Sequence, residues 1–247
     1  MRIQLLAALF VFSALPGLSQ IDTVSLKTEQ SAITPDNDTV DDGIYNYDKY
    51  CAIMGGDSTL ISRGMKYTGL YKDYYPDGKI KHKGYYDLGK VTTVFTNYYE
   101  NGQIERVFKA KGMNSGLLLC YYQDGALKSR VAYTAGESTK WEDFYRNGKT
   151  EFCEEFSGNM EYYLYMRFYY PDGKPQILFE LTDKKTRTYS HKEFWPSGKV
   201  KEEGIKVQNR SMNDYMQEGT WYYYSEDGKL ILEEEYSKGK LISDKSY

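Results

Sequence analysis

The stretch Tyr74-Tyr75-Pro76-Asp77-Gly78-Lys79-Ile80 places a turn tripeptide between two aromatic residues and an aliphatic one. An aromatic residue four positions before a glycine returns six more times, with successive glycines 24, 23, 23, 25, 25 and 30 residues apart. A small polar residue followed by glycine between apolar runs is a strong hairpin signal. We therefore predict seven β-hairpins in series. Their turn-forming residues are Asp77 and Gly78, Asn101 and Gly102, Asp124 and Gly125, Asn147 and Gly148, Asp172 and Gly173, Ser197 and Gly198, and Asp227 and Gly228.

The turn type follows from three prolines, Pro76, Pro171 and Pro196, each two positions before its glycine. Proline fits the first central position of a type I turn, and glycine then takes the left-handed residue of a G1 bulge. A two-residue turn would instead require a ladder N–H that proline lacks. The sequence therefore predicts a three-residue hairpin loop.

With that loop, each aromatic residue lies opposite the residue two after its glycine. Aromatic against aliphatic is a stabilising cross-strand pair, and we expect this packed face to continue along the second strand to Tyr86, Tyr133, Phe156, Leu181 and Tyr236. The seven predicted pairs are Tyr74 with Ile80, Tyr98 with Ile104, Tyr121 with Leu127, Phe144 with Thr150, Tyr169 with Pro175, Phe194 with Val200, and Tyr224 with Leu230.

The repeat length leaves no room for a helix, so each repeat is one hairpin. The predicted fold is all-β, an elongated single-sheet antiparallel meander of about seven hairpins, or about 14 strands, at roughly 4.8 Å per strand. We assign residues 65–247 to the repeats, residues 44–64 to an N-terminal cap, and residues 20–43 to a flexible acidic leader.

The first 19 residues have the pattern of a signal peptide. Met1 and Arg2 give a cationic start, an apolar run of 11 residues extends from Leu5 to Leu15, and small residues follow up to Ser19. A membrane-spanning helix needs roughly 20 apolar residues. We therefore expect cleavage after Ser19, no integral membrane anchor after cleavage, and a secreted or periplasmic protein.

Composition and motifs argue against several functions. The net charge of -3 and the lack of a basic tract exclude a nucleic-acid partner. The common nucleophile, phosphate-loop and zinc-protease motifs are absent, and His82 and His191 lie in different repeats. We predict no enzyme and assign no catalytic, cofactor or metal residue.

Cys120 and Cys153 fall about 14 Å apart in a meander, beyond the ~7 Å reach of a disulfide.

An aromatic face remains after the turns and pairs are assigned. By strand alternation it points away from the predicted pairs, and it carries lysines as well. One interpretation is a second packing face, with rings lying over lysine stems. The other is an interaction face that binds an extended protein strand or a glycan. The residues of this face are Tyr75, Tyr99, Tyr122, Trp141, Tyr145, Tyr170, Trp195 and Trp221.

Two copies of the repeat resemble a known family. The motif residues are Gly69, Tyr71, Tyr74, Asp77, Gly78, Lys79, Ile80, Tyr86, Gly89 and Lys90, and again Gly219, Trp221, Tyr224, Asp227, Gly228, Lys229, Leu230, Tyr236, Gly239 and Lys240. They resemble the MORN-repeat variant of bacterial proteins, over about residues 65–242. Met166 and His191 stand where tryptophan is expected, and Pro175 interrupts a strand start.

The resemblance implies hairpin repeats that serve as interaction scaffolds. Many bacterial members are labelled YwqK-type antitoxins, which implies a cytosolic toxin partner, whereas the predicted signal peptide implies export. Three functions are therefore weighed: an exported non-enzymatic scaffold for a protein partner at the cell envelope, a carbohydrate-binding or cell-wall-binding protein, and an antitoxin.

Overall fold

The described part of the chain is one long antiparallel sheet preceded by a short irregular segment. The computed structural model describes residues 47–212 and 214–247, so the predicted signal peptide and acidic leader lie outside the described residues. Two 3-10 helices, Asp48–Tyr50 and Ala52–Met54, and a two-stranded hairpin, β1 (Ile61–Ser62) and β2 (Met65–Lys66), come first. The described residues contain no α-helix.

Fifteen strands follow, each hydrogen-bonded to its neighbours in chain order. This meander confirms the predicted fold class, with one strand more than expected at the C-terminus. The strands are β3 (Gly69–Tyr74), β4 (Ile80–Asp87), β5 (Lys90–Tyr98), β6 (Ile104–Ala110), β7 (Ser115–Tyr121), β8 (Leu127–Thr134), β9 (Glu137–Phe144), β10 (Thr150–Phe156), β11 (Tyr163–Tyr169), β12 (Pro175–Asp183), β13 (Thr188–Phe194), β14 (Val200–Asn209), β15 (Asp214–Tyr224), β16 (Leu230–Ser237) and β17 (Lys240–Ser246).

The seven repeated turns have one geometry. In the first, Gly78 N donates to Tyr75 O at 2.9 Å, Tyr75 N donates to Lys79 O at 2.9 Å, and Gly78 has φ +85°. The same two hydrogen bonds recur in the other six turns. A left-handed glycine after a type I turn is the three-residue loop with a G1 bulge, and it sets all seven cross-strand pairs from Tyr74 with Ile80 to Tyr224 with Leu230.

A second β-bulge lies directly after each of these pairs. Tyr74 pairs with Ile80, but the preceding residue Asp73 pairs with His82, so Lys81 is an extra residue. Because side chains alternate along a strand, one extra residue moves every later side chain to the opposite face. The seven extra residues are Lys81, Glu105, Lys128, Glu151, Gln176, Lys201 and Ile231.

This bulge corrects the predicted assignment of faces. Tyr86 pairs with Gly69 and shares a face with Tyr71 and Tyr75, not with Tyr74 and Ile80. The same holds for the other four residues expected on the first face, Tyr133, Phe156, Leu181 and Tyr236. We call the face with Tyr74 and Ile80 the rung face, and the face with Tyr75 and Tyr86 the ladder face.

The N-terminal segment covers part of the ladder face. Cys51, Ile53, Met54 and Leu60 form one buried cluster with side chains that include Phe95. Tyr47 stacks on the His82 ring, with centroids 3.7 Å apart, and donates its hydroxyl to Asp73. The described part of the predicted cap therefore covers the ladder face of the first repeats. The other sheet residues of this cluster are Tyr86, Val91, Phe108, Leu118, Val131 and Tyr133.

The three cysteines are free thiols. Cys120 lies on β7 and Cys153 on β10, with β8 and β9 between them. This separation is the one expected from the meander.

Candidate interaction surface

The seven aromatic residues and their cross-strand partners form one row across the rung face, from β3 to β16. We call this row the rung stripe; its members are Tyr74, Ile80, Tyr98, Ile104, Tyr121, Leu127, Phe144, Thr150, Tyr169, Pro175, Phe194, Val200, Tyr224 and Leu230. None of the 14 is buried, and Tyr74 and Ile104 are exposed by 51% and 41%. The other 12 are half-buried, and a long, largely apolar row that keeps part of its area in solvent is typical of an interaction surface.

Charged side chains border the stripe on the same face. Lys83 Nζ lies 5.4 Å from the Tyr98 ring centroid, and the Tyr224 hydroxyl donates to Glu203 at 3.1 Å. Lys192 Nζ lies 2.6 Å from Glu203 Oε2. An apolar centre with a polar rim is the usual arrangement of a protein interface.

The ladder face binds successive repeats to one another. The Tyr75 hydroxyl donates to Tyr98 O, in the next repeat, at 2.6 Å. Tyr99, Tyr122, Tyr145 and Tyr170 make the equivalent bonds at 2.7 to 2.8 Å, and Trp195 Nε1 donates to Tyr224 O at 3.1 Å. In the last repeat Ser225 replaces the aromatic residue, and its hydroxyl donates to Lys229 O within its own turn.

The residues of the predicted aromatic face make contacts within the protein. Of the eight predicted residues, Tyr122 and Trp221 are buried, with 5% and 1% exposure, and the other six are half-buried. Trp141 Nε1 donates to Asp143 at 2.7 Å, and Trp221 Nε1 donates to Ile205 O at 3.2 Å. Lys81 lies over the Tyr75 ring. The structure therefore supports the packing interpretation, in which the rings lie over lysine stems.

The ladder hydrogen bonds lead to a first prediction. Burial raises the pKa of Tyr145 to about 12, so its hydroxyl is a neutral donor to Tyr169 O. Tyr145→Phe removes this hydrogen bond between repeats, and we expect the free energy of unfolding to fall by about 1–2 kcal/mol. Urea denaturation monitored by fluorescence measures the loss. The control Tyr74→Phe alters an exposed ring and should change it by less than ~0.5 kcal/mol; equal losses would contradict the assignment of the ladder.

The hairpin turns are also linked in a row. Lys79 Nζ donates to Glu100 O in the next turn at 2.9 Å, and Lys174 and Lys199 do the same to Pro196 O and Asp227 O at 3.1 and 2.7 Å. Lys149 donates to Asp172 O. In four of the seven turns, the lysine that follows the glycine thus links its turn to the next one.

Two acidic side chains lie on the ladder face beyond the N-terminal segment. Burial, with a smaller contribution from the nearby Asp143 carboxylate, raises the pKa of Glu154 to about 7, and a hydrogen bond from Tyr163 opposes this shift. Burial also raises the pKa of Asp143, which accepts hydrogen bonds from Ser129 and Trp141. At neutral pH the Glu154 carboxyl is therefore partly protonated.

This shift predicts a pH dependence of stability. Because the pKa of Glu154 in the folded protein lies above its ordinary 4.5, the folded state binds more protons, and stability falls as pH rises from about 4.5 to about 7. Glu154→Gln removes that loss. We expect the variant to be more stable than the parent by about 1–2 kcal/mol at pH 8 and equal to it at pH 4. Urea denaturation at both pH values measures the difference, and a gain of equal size at both would contradict it.

A cluster that sequence analysis missed lies on β13 and β14. His191, treated there as an isolated strand residue, is 1% exposed, and its Nε2 lies 3.2 Å from Glu202 Oε1. Glu193 pairs directly with Glu202 across the strands. One ligand atom from each of the three side chains lies within 4.8 Å of the others. The sequence signal was available, since His191 replaces the aromatic residue of the motif.

Comparison with known families identifies the repeats. Residues 67–88, 92–107 and 217–238 match the model of the MORN repeat variant. They include β3 and β4, most of β5, and the paired parts of β15 and β16. The resemblance drawn from the motif residues is thus confirmed: these segments are MORN-variant repeats. MORN repeats generally mediate interaction with proteins or membranes.

No curated protein matches the chain. Among solved structures, a crystal structure of an S. aureus TarM mutant with fondaparinux, alpha-GlcNAc-glycerol and UDP is 10% identical, covers 46% of this chain and 20% of its own, and has a TM-score of 0.27. The TcdB2-TccC3-Cdc42 structure is 11% identical, covers 68% and 13%, and has a TM-score of 0.18. No helix formed by the described residues is long and apolar enough to span a membrane.

Proposed function

We propose that the chain is an exported, non-enzymatic repeat scaffold that binds a protein partner at the cell envelope through the rung stripe. The observation that carries this proposal is the stripe itself, 14 aligned side chains of which none is buried. The ladder face, in contrast, is occupied by contacts within the protein. The surface left for a partner is therefore on the rung face.

The composition of the stripe favours a protein over other partners. Five of the seven residues that face the aromatic rings are aliphatic and carry no polar group: Ile80, Ile104, Leu127, Val200 and Leu230. Aliphatic side chains bury well against other apolar side chains but offer a sugar neither a stacking plane nor a hydrogen bond. The charged border then supplies specificity at the rim.

The glycan alternative is weakened by the contacts of two of its aromatic residues. Trp221 is 1% exposed, and the indole N–H groups of Trp141 and Trp221 are both used within the protein. The buried Trp221 ring is therefore not free to stack on a sugar. The sequence basis for a nucleic-acid partner is equally weak, because the net charge is -3.

The proposed export depends on residues 1–19. Expression of the full chain with a C-terminal tag, followed by separation of envelope, medium and cytosol, tests it: we expect the tagged protein outside the cytosol and shortened by cleavage after Ser19. A full-length product confined to the cytosol would overturn export and would favour the antitoxin alternative.

Variants of the stripe test the binding proposal. Tyr121→Ser combined with Leu127→Ser changes one half-exposed pair in the middle of the stripe. We expect the parent chain to capture a single defined protein from the envelope, and capture by this double variant to be at least tenfold lower. The matched control Ile242→Ser removes an exposed apolar side chain, 63% exposed on β17 and outside the stripe, and should retain the partner. Capture that is unchanged by the double variant would overturn the role of the stripe.

A further inference from the structure

One hairpin differs from the other six at the position next to the rung. On the ladder face, each repeat has a cross-strand pair just before the aromatic residue of the rung. Six of these pairs do not set two like charges opposite each other: Asp73 with His82, Asn97 with Arg106, Cys120 with Ser129, Asp143 with Phe152, Phe168 with Ile177, and Tyr223 with Leu232. The seventh sets Glu193 directly opposite Glu202. Like charges in this position destabilise a sheet.

The same hairpin also departs from the pattern two residues earlier. His191 occupies the position that other repeats fill with Tyr71, Phe95, Leu118, Trp141, Met166 and Trp221. Because His191 and Glu193 are two residues apart on β13, both point to the ladder face. The His191 ring lies 5.4 Å from the Trp221 ring and 6.4 Å from the Phe179 ring. Three residues that depart from the repeat pattern, His191, Glu193 and Glu202, therefore lie at one place on the ladder face.

We propose that His191, Glu193 and Glu202 bind a divalent first-row transition metal ion. The three ligand atoms lie within 4.8 Å of one another. One imidazole nitrogen and two carboxylate oxygens form a donor set that suits zinc and its neighbours, with bonds of about 2.0–2.2 Å. The glutamates are only 23% and 19% exposed, so the ion lies at the edge of the packed aromatic rings while solvent completes its coordination.

The ammonium groups of two lysines compete with a metal ion for this site. Lys201, the bulge residue of this hairpin, pairs with Glu193 at 3.0 Å, but its side chain is 39% exposed and can turn to solvent when the ion binds. Lys206 is 9% exposed and lies over the Trp221 ring at 5.6 Å. Its charge remains close and lowers the affinity for a second cation. We therefore expect micromolar binding that tightens when Lys201 is neutralised.

Titration of the purified chain with Zn²⁺ by calorimetry tests the site. We expect one ion per chain, and about tenfold tighter binding to Lys201→Gln because the competing cation is removed. Glu193→Gln, which changes a partly exposed side chain and preserves folding, should weaken binding by tenfold or more. Titration with Co²⁺ adds a visible absorption spectrum, which reports direct coordination and should disappear in His191→Gln.

The control is Glu235→Gln, which changes a half-buried glutamate on β16, outside the proposed site, and should leave the affinity for Zn²⁺ unchanged. Three results would each overturn the site: no binding at millimolar Zn²⁺, affinity that is equal in Glu193→Gln and the parent, or no tightening in Lys201→Gln. Loss of binding in Glu235→Gln alone would place the ion on the glutamates of β16 instead.

Discussion

Trp221→Ala should lower the free energy of unfolding by about 3–5 kcal/mol, because it removes a large buried ring from a well-packed site. Trp221 is 1% exposed, lies against the rings of His191 and Tyr236, and donates its indole N–H to Ile205 O. If this ring belonged to an exposed interaction face, the substitution would cost little stability. Urea denaturation followed by circular dichroism measures the difference, and a loss below about 1 kcal/mol would contradict the packing role.

A substitution under the same ring gives a matched comparison. Gly204 lies on β14 directly beneath Trp221, and a Cβ atom there would overlap the indole carbons. Gly204→Ala should therefore destabilise the protein by about 1–3 kcal/mol through overpacking. The control is Gly158→Ala, since a Cβ at Gly158 would meet nothing within 4 Å. It should be close to neutral.

Arg106→Met is expected to cost about 3–5 kcal/mol, because it leaves a buried carboxylate without its partner. Arg106 Nη2 lies 2.9 Å from Asp48 Oδ2, with side chains 9% and 18% exposed. Burial raises the pKa of Asp48, and Arg106 opposes that shift. This ion pair joins the N-terminal segment to β6, so its loss should release the segment as well as lower the urea midpoint.

The reactivity of Cys51 reports that release directly. The Cys51 side chain is fully buried, and burial raises the pKa of its thiol to about 11. In Arg106→Met, alkylation of Cys51 mapped by mass spectrometry should become at least tenfold faster than in the parent. Combining Arg106→Met with Asp48→Asn removes the unpaired charge and should recover much of the stability. Slow alkylation of Cys51 in the single variant would show that the segment is held without this ion pair.

Turn chemistry made the fold predictable from the sequence. Pro76, Asp77 and Gly78 specify a three-residue loop, and that loop fixes the pairing of Tyr74 with Ile80. The same local rule sets the other six pairs, so hairpin order, sheet topology and the register at the seven rung pairs followed from short-range signals.

The identity of the exposed face was not predictable by the same rule. Simple side-chain alternation along the second strand contains no extra residue after the rung pair. In the structure, Lys81 and its six equivalents are extra residues that form a β-bulge there. One inserted residue exchanges the two faces of the second strand. Tyr86 therefore joined Tyr75 in the packed ladder, and the stripe with Tyr74 became the open surface. Lys81 is an ordinary charged strand residue, and nothing in its identity predicts the bulge.

The His191 cluster shows a different limit. Its members lie on two strands, and Glu202 comes opposite Glu193 only because the bulge at Lys201 shifts the register. Without that shift, simple alternation places Glu202 on the rung face, away from His191 and Glu193. The sequence shows that His191 replaces an aromatic residue of the repeat. It does not show that Glu202 lies beside His191, because that position depends on the bulge.

The assignment of the two faces is the central claim, and hydroxyl-radical footprinting of the folded chain tests it most directly. The account predicts rapid oxidation of rung residues such as Tyr74 and Ile104, which are 51% and 41% exposed, and strong protection of Tyr122 and Trp221, which are 5% and 1% exposed. Oxidation of Tyr122 and Trp221 at the rate of Tyr74, with protection of the rung residues instead, would contradict it.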